Sequence, residues 1–375
     1  MVIPHQKQLF SIPEGVTYMN CANMAPFLHA VEEAGIRAIV QRRHPWTISA
    51  DQWFEPAEEL RSLFARLIGA EKDHVALIPS ASYGLAIAQR NMNLRPGQTI
   101  VILDQQYPSN VYAWQELAAV SGAVIGTVKR EGGESWAEAI LRTMDDRTGL
   151  VAIPNCHWTD GSFIDLELVS RKVREVGARL VIDASQSLGA YPLDVRKIQP
   201  DFVVAVGYKW LLGPYNLGYL YAAPAYHSEG SPIEWSWMVK EGSDDFTRLV
   251  DYTEDYKPGA RRFDAGEFAS FIHIPMAKAA LEQILAWGVE NIHETLSVLT
   301  RAIVQQAGEV GLEVAPGESV GHMIGVRMPQ ERIAGLQKKL AENKIYISFR
   351  GSNMRIAPHL YNDMGDVERL FASIA

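Results

Sequence analysis

The sequence predicts an α/β protein with a mostly parallel, seven-stranded sheet in a large domain and a smaller α+β domain at the C-terminal end. Two observations carry this prediction. Seven short apolar runs, at 75–79, 99–103, 123–128, 149–154, 179–183, 202–207 and 217–221, are mostly separated by helical patterns. Runs that are apolar throughout mark strands covered on both faces. The 375 residues also exceed what a single core requires, so two domains are expected.

The first run leads into a helix at 80–89 that opens on small polar residues. Further helices are expected near 110–120, 135–144 and 165–176, each between two strands. Residues 228–262 break the rhythm. They are rich in Trp, Asp, Glu and Gly, and a segment of that length reads as a functional loop or crossover. A helix at 275–286 leads through 291–307 into the smaller unit, with a strand at 322–326, a helix at 330–343, a strand at 345–348 and a last helix at 363–373. We place an N-terminal arm at 1–14, the large domain at 15–260 and the small domain at 261–375.

Net charge is −9, from 35 basic and 44 acidic side chains. That balance argues against a nucleic-acid footprint but leaves room for a local arginine cluster that binds an anionic substrate. The two cysteines, Cys21 and Cys156, are too few for a disulfide framework, and Cys156-His157 has no second pair of metal ligands near it. The first residues lack the apolar run of a signal peptide and no segment reaches membrane-spanning length, so no membrane association and a cytoplasmic location are expected. Neither GxGxxG nor GxxxxGK[ST] occurs, which removes the main support for a nucleotide-binding reading.

Lys209 lies in FVVAVGYKWLLGPYNLGYLYA, among apolar, aromatic and glycine neighbours. Such a lysine either reaches water from a strand end or has a depressed pKa. A neutral amine is what an imine with an aldehyde cofactor requires. Asp183 ends the run LVID at the carboxyl edge of a strand, where α/β sheets place ligands. It either caps the following turn or pairs with a protonated pyridine nitrogen. Gln186, three residues on, is a turn residue or a donor to a ring oxygen. The segment Ser80-Ala81-Ser82-Tyr83-Gly84 offers free N–H groups at a helix start, suited to capping or to a phosphate. Tyr107 packs in the core or stacks on an aromatic cofactor. Arg350 and Arg355 flank a Gly-Ser-Asn turn, either as surface residues or as a site for a carboxylate.

In this order the segments resemble the aminotransferase class V family of fold-type I pyridoxal-phosphate enzymes, over roughly residues 15–375. The most specific pieces are DASQSLGAY and VAVGYKWLLGP. The resemblance implies pyridoxal 5'-phosphate held as an imine on Lys209, with Asp183 on the pyridine nitrogen and Gln186 on the phenolate oxygen. It further implies Ala81, Ser82 and Tyr208 at the phosphate, Tyr107 stacked on the ring, and Arg355, with Arg350 as a second candidate, at the carboxylate of a small amino acid. A homodimer with shared active sites is implied too, the stretch RRFDAGEF reaching the neighbouring subunit's phosphate.

Three departures stand out. No cysteine follows Cys156, so the mobile cysteine of the desulfurases is lacking. Glu267 stands where relatives carry a hydroxyl, and would repel phosphate unless it points away or meets Arg261 or Arg262. Trp158 replaces a common asparagine near the cofactor. Trp158, Trp235 and Trp237 could build an apolar side-chain pocket, or the latter two could pack the crossover or a dimer interface. The tail SFRGSNMRIAPHLYNDMGDVERL looks more like kynureninase than desulfurase. The family resemblance and this tail favour a lyase at the β-carbon, with aminotransferase and epimerase as alternatives; the Glu267 and Trp158 departures favour the remaining one, a non-catalytic scaffold.

Overall fold

The computed structural model describes residues 1–315 and 317–374. In chain order its main elements are β1 (Thr17–Tyr18), α1 (His29–Gln41), α2 (Glu55–Ile68), β2 (Val75–Ile78), α3 (Ala81–Arg90), β3 (Thr99–Leu103), α4 (Ser109–Ser121), β4 (Val124–Val128), α5 (Trp136–Thr143), β5 (Thr148–Pro154), α6 (Leu166–Glu175), β6 (Arg179–Asp183), α7 (Val195–Ile198), β7 (Phe202–Val206) and β8 (Gly218–Ala222). The C-terminal part contributes α8 (His273–Trp287), α9 (Val289–Glu309), β9 (Ile324–Arg327), α10 (Gln330–Glu342), β10 (Ile345–Tyr346), β11 (Ser348–Arg350), β12 (Asn353–Ile356) and α11 (Met364–Ile374).

The seven-stranded sheet runs β2-β8-β7-β6-β5-β3-β4, with β8 antiparallel to both neighbours and the other pairings parallel. Alternate residues of each strand enter different cores. Val101 and Leu103 join one cluster while Ile100 and Ile102 join the other, and Val151 and Ile153 oppose Leu150 and Ala152 in the same way. Both faces are therefore covered, as strands that are apolar throughout require. The C-terminal unit is an antiparallel sheet, β11-β12-β9, with helices packed on it.

One element differs from expectation, and the long crossover does not. The run at 345–348 is divided: β10 pairs with β1, whereas β11 pairs with β12. Residues 228–262 contain no strand, only short 3₁₀ turns such as Trp237–Val239 and Phe246–Arg248.

The N-terminal segment joins the two parts of the molecule. Thr17 and Tyr18 pair in parallel with Ile345 and Tyr346. The Thr17 hydroxyl donates to Asp366 at 2.6 Å, and Cys21 N–H to the Ala357 carbonyl at 3.0 Å. Beyond that point the chain turns to the large sheet, where the Ala22 carbonyl accepts from Gln186 and Ala25 N–H donates to the Tyr208 carbonyl.

Candidate active site

Six strands of the large sheet point the same way, and five of their carboxyl ends open into one cavity of about 260 Å³. β2 delivers Ser80, Ala81 and Ser82, and β3 delivers Gln106 and Tyr107. β5 contributes Cys156 and Trp158, β6 Asp183, Ser185 and Gln186, and β7 Tyr208 and Lys209. Antiparallel β8 starts where the others finish, so Tyr215 and Asn216 join from the loop before it. A ligand site at the carboxyl edge is what parallel sheets favour.

The amine of Lys209 is buried, and desolvation pulls its pKa down to about 8. Asp183 pulls the other way through space, and Arg355 adds to the lowering. Among the described residues no carboxylate forms an ion pair with Lys209. Its ammonium would sit 5.5 Å from the Tyr107 ring centroid and 5.7 Å from that of Tyr208.

Asp183, also buried, accepts Ser185 N–H at 3.0 Å on one oxygen. Gln186 is fixed by unlike partners. Its Nε2 donates to the Ala22 carbonyl at 3.0 Å, and its Oε1 accepts the Trp210 indole N–H at 3.1 Å. Since a carbonyl only accepts and an indole only donates, the amide orientation is determined and one N–H is left over. The buried His322, which nothing in the sequence ties to the site, hydrogen-bonds the Gln186 carbonyl through Nε2 at 2.7 Å. Burial holds His322 down to about 4, so the ring is neutral with a single N–H, which the 2.7 Å contact favours on Nε2 over the 3.2 Å approach of Nδ1 to the Val320 carbonyl.

At the head of α3, Ser80 caps the helix by accepting Tyr83 N–H, and its hydroxyl lies 2.9 Å from that of Ser82. The N–H groups of Ala81 and Ser82 precede the first intrahelical bonds and are available to an anion. Tyr107 is 37 % exposed and meets Trp158 edge to face at 5.4 Å. The only donor of Trp158, its indole N–H, goes to the Gln105 carbonyl at 2.7 Å, so this residue presents ring rather than a hydrogen bond to the cavity.

Arg350 and Arg355 stand behind Trp158. Arg355 Nη1 donates to the Trp158 carbonyl at 2.9 Å and Nε to Ser348 Oγ at 3.1 Å. Burial and the nearby Arg350 press its pKa down to about 9. Arg350 places its guanidinium carbon 5.6 Å from the Trp158 ring centroid. Gly325 permits this approach. It pairs with Arg355 across the β9–β12 ladder, and a Cβ there would lie 2.6 Å from Asp160 Cβ, closing the gap through which the Trp158 loop reaches the hairpin.

Other sequence candidates fall elsewhere. Trp235 and Trp237 do not line the cavity. Trp237 packs with Trp53, Phe54 and Phe246, and Trp235 is 71 % exposed. Glu267 is exposed, at a left-handed φ of 58°, and meets neither nearby arginine. Arg261 pairs instead with Glu58 and Asp73, and Arg262 donates to the carbonyls of Ser228 and Gly230. Both cysteines are buried, and burial pushes their thiols well above the ordinary range. No group of acidic, His and Cys side chains suited to a metal occurs among the described residues, and no helix there is long and apolar enough to cross a membrane.

The donor set fits a phosphorylated pyridine aldehyde: a buried, neutral-leaning amine, a carboxylate, a spare amide N–H, a helix N-terminus and a free aromatic face. Comparisons with known proteins agree. The chain is 28 % identical over 377 residues to an uncharacterized aminotransferase, YcbU, of Bacillus subtilis, covering all of this chain and 98 % of that one. It is 24 % identical to a kynureninase of Geobacillus thermodenitrificans over 94 % of this chain and 86 % of the relative. The fold superposes on an apo cysteine desulfurase of Thermococcus onnurineus with a TM-score of 0.86 at 18 % identity, covering 100 % and 98 % of the two chains. The model of the aminotransferase class-V family matches residues 42–370. The chain belongs to that family and is a pyridoxal 5'-phosphate-dependent enzyme of fold type I.

Proposed function

We propose that the enzyme carries its cofactor as an imine on Lys209 and acts on a small amino acid through charge developed at Cα, with β-carbon lyase chemistry preferred. The observation that carries the proposal is the buried Lys209 amine, brought down to about 8 in a cavity that also holds Asp183. Near neutral pH such an amine is far more available as a nucleophile and base than an ordinary lysine.

When bound, the cofactor supplies an electron sink for the charge released at Cα. Asp183 would keep a proton on the ring nitrogen, and the remaining N–H of Gln186 would donate to the ring oxygen. The N–H groups of Ala81 and Ser82, with the Tyr208 hydroxyl, would hold the phosphate, and Tyr107 would cover the ring face. Arg355 would take the substrate carboxylate, setting which bond at Cα lies across the ring plane. Lys209 would then move the proton at Cα.

The lyase preference rests on likeness to kynureninase over most of the chain, and on the lack of a cysteine after Cys156 to carry sulfur as desulfurases do. Aminotransferase is the second reading and epimerase the third. We also propose a homodimer, supported by the exposed Trp235 and by the partly exposed Trp237 cluster; light scattering at a monomer mass would refute it.

Borohydride reduction followed by peptide mass analysis tests the attachment. The cofactor mass is expected on the Lys209 peptide, and its appearance on another lysine refutes the proposal. Proton NMR in deuterated water, with and without a keto-acid acceptor, tests the reaction. Loss of a side-chain fragment without acceptor supports the lyase. Turnover only with acceptor makes the enzyme an aminotransferase, and Cα deuteration without net product makes it an epimerase.

A further inference from the structure

Ser348 pairs with Arg355 and Arg350 with Asn353 in the β11–β12 hairpin. Side chains alternate along a strand, so Arg350 shares a face with Ser348, and Arg355 shares a face with Asn353. Directly opposed residues lie on the same face, which puts both guanidiniums on one side of the hairpin, rooted about 7–8 Å apart on the diagonal. That side meets Trp158, whose carbonyl accepts from Arg355 and whose ring lies under Arg350.

Neither arginine has an acidic partner among the described residues. Arg355 uses two of its five N–H donors, on Ser348 and Trp158. Arg350 has one hydrogen bond, to the carbonyl of its neighbour Phe349. The lowering of the Arg355 and Lys209 pKa values by Arg350 places all three cations within reach of one another's field. One substrate carboxylate would satisfy Arg355 and leave Arg350 with its stacking contact and the single bond to the Phe349 carbonyl.

From this geometry, and resting on the reading that Arg355 takes the α-carboxylate, we propose that the substrate is a small amino acid whose side chain ends in a second carboxylate, held by Arg350. The half-buried Arg350 is not itself part of the cavity lining, but it stacks on the ring of Trp158, which is, so a side chain reaching past that ring would meet it. Its planar fork suits two-point capture of a carboxylate, while the indole beneath fixes its plane.

The test uses the holoenzyme. Aspartate and glutamate are titrated against asparagine and glutamine, with the absorbance of the bound cofactor as readout. Succinate and glutarate are compared with butyrate by calorimetry. The acids are expected to bind about tenfold or more tighter than the amides, and the diacids likewise tighter than butyrate. Arg350→Gln should bring both ratios to about one, Arg350→Lys should keep part of them, and Arg355→Gln should weaken acids and amides alike. Equal affinity for acid and amide in the unaltered enzyme, or a ratio untouched by Arg350→Gln, would overturn the proposal. The calorimetric arm needs no linkage to Lys209, so a wrong attachment site would show in the borohydride experiment and not here.

Discussion

Arg61 and Arg355 are both fully buried, and their surroundings differ. Arg61, on α2, makes a two-point contact with Asp264 at 2.9 and 2.6 Å, a bond to Glu58 at 3.0 Å and another to the Val75 carbonyl at 2.7 Å. Asp264 in turn accepts Leu77 N–H, so the cluster grips β2 just before the chain enters the cavity. Arg355 has only a hydroxyl and a carbonyl, with Arg350 and Lys209 as charged neighbours. A buried charge with its counter-ion holds the fold in place, because removing either partner strands the other. A buried charge without one raises the energy of the free protein and is lowered by whatever anion arrives.

The largest effect expected from this contrast is on Lys209. Lys209→Ala should abolish the absorbance of bound cofactor in the reduced and dialysed protein, and slow turnover by about 10³-fold or more. Retained turnover would remove Lys209 from the chemistry.

Asp264→Ala should cost about 3–5 kcal/mol in urea unfolding, since it removes the two-point partner of the buried Arg61 and leaves only Glu58, which Arg261 shares. A cost under 1 kcal/mol would show the cluster to be dispensable.

Cofactor capture by the apoenzyme should follow the neutral fraction of Lys209, with a midpoint near pH 8. At pH 7.5 that fraction is about 10²-fold larger than for an ordinary lysine. A midpoint near 10.5 would mean the amine is solvated.

Acid should separate the two regions. The folded-state pKa of His322 is about 4, below its unfolded value of 6.5, so its contribution is present above 6.5 and is lost as pH falls towards 4. Between pH 7 and pH 5 this amounts to about 2 kcal/mol, and His322→Phe should flatten that part of the curve. At the other cluster, burial pushes Glu58 up, but hydrogen bonding to Arg261 and the charge of Arg61 override it and bring it to about 2. Its contribution is present above 4.5 and is lost only below that.

The smallest effect is the sharpest comparison. Arg355→Met should leave apoprotein stability unchanged or raise it by about 1 kcal/mol. A loss as large as that of Asp264→Ala would erase the distinction between the two arginines.

The central sheet was legible because its strands are buried on both faces: Thr99–Leu103 and Arg179–Asp183 fall where their apolar runs place them. α1 was not, because Ile36, Ile39 and Val40 are exposed and blur its face. α2 does carry the signal, in Leu60, Phe64 and Ile68 at four-residue spacing, yet the sequence reading assigns no helix there. The positions of Lys209 and Asp183 could be read from the strand ends they follow. The Gln186–His322 contact could not, since it spans 136 residues and depends on the C-terminal unit docking against the large sheet. The Arg61–Asp264 pair spans 203 residues and is hidden in the same way, because nothing local to Asp264 marks its partner.

The short strand at Thr17–Tyr18 has a consequence for how the protein comes into being. Thr17 reaches Asp366, 349 residues away, and the segment it anchors supplies the carbonyl of Ala22 to Gln186 and the N–H of Ala25 to the Lys209 loop. On a ribosome this early segment must wait for almost the whole remaining chain before it can settle. Such distant contacts form late because their loop is long. The residues that line the cavity, all between Pro79 and Asn216, can therefore assemble first, and the N-terminal segment that braces Gln186 and Tyr208 settles against them near the end of synthesis.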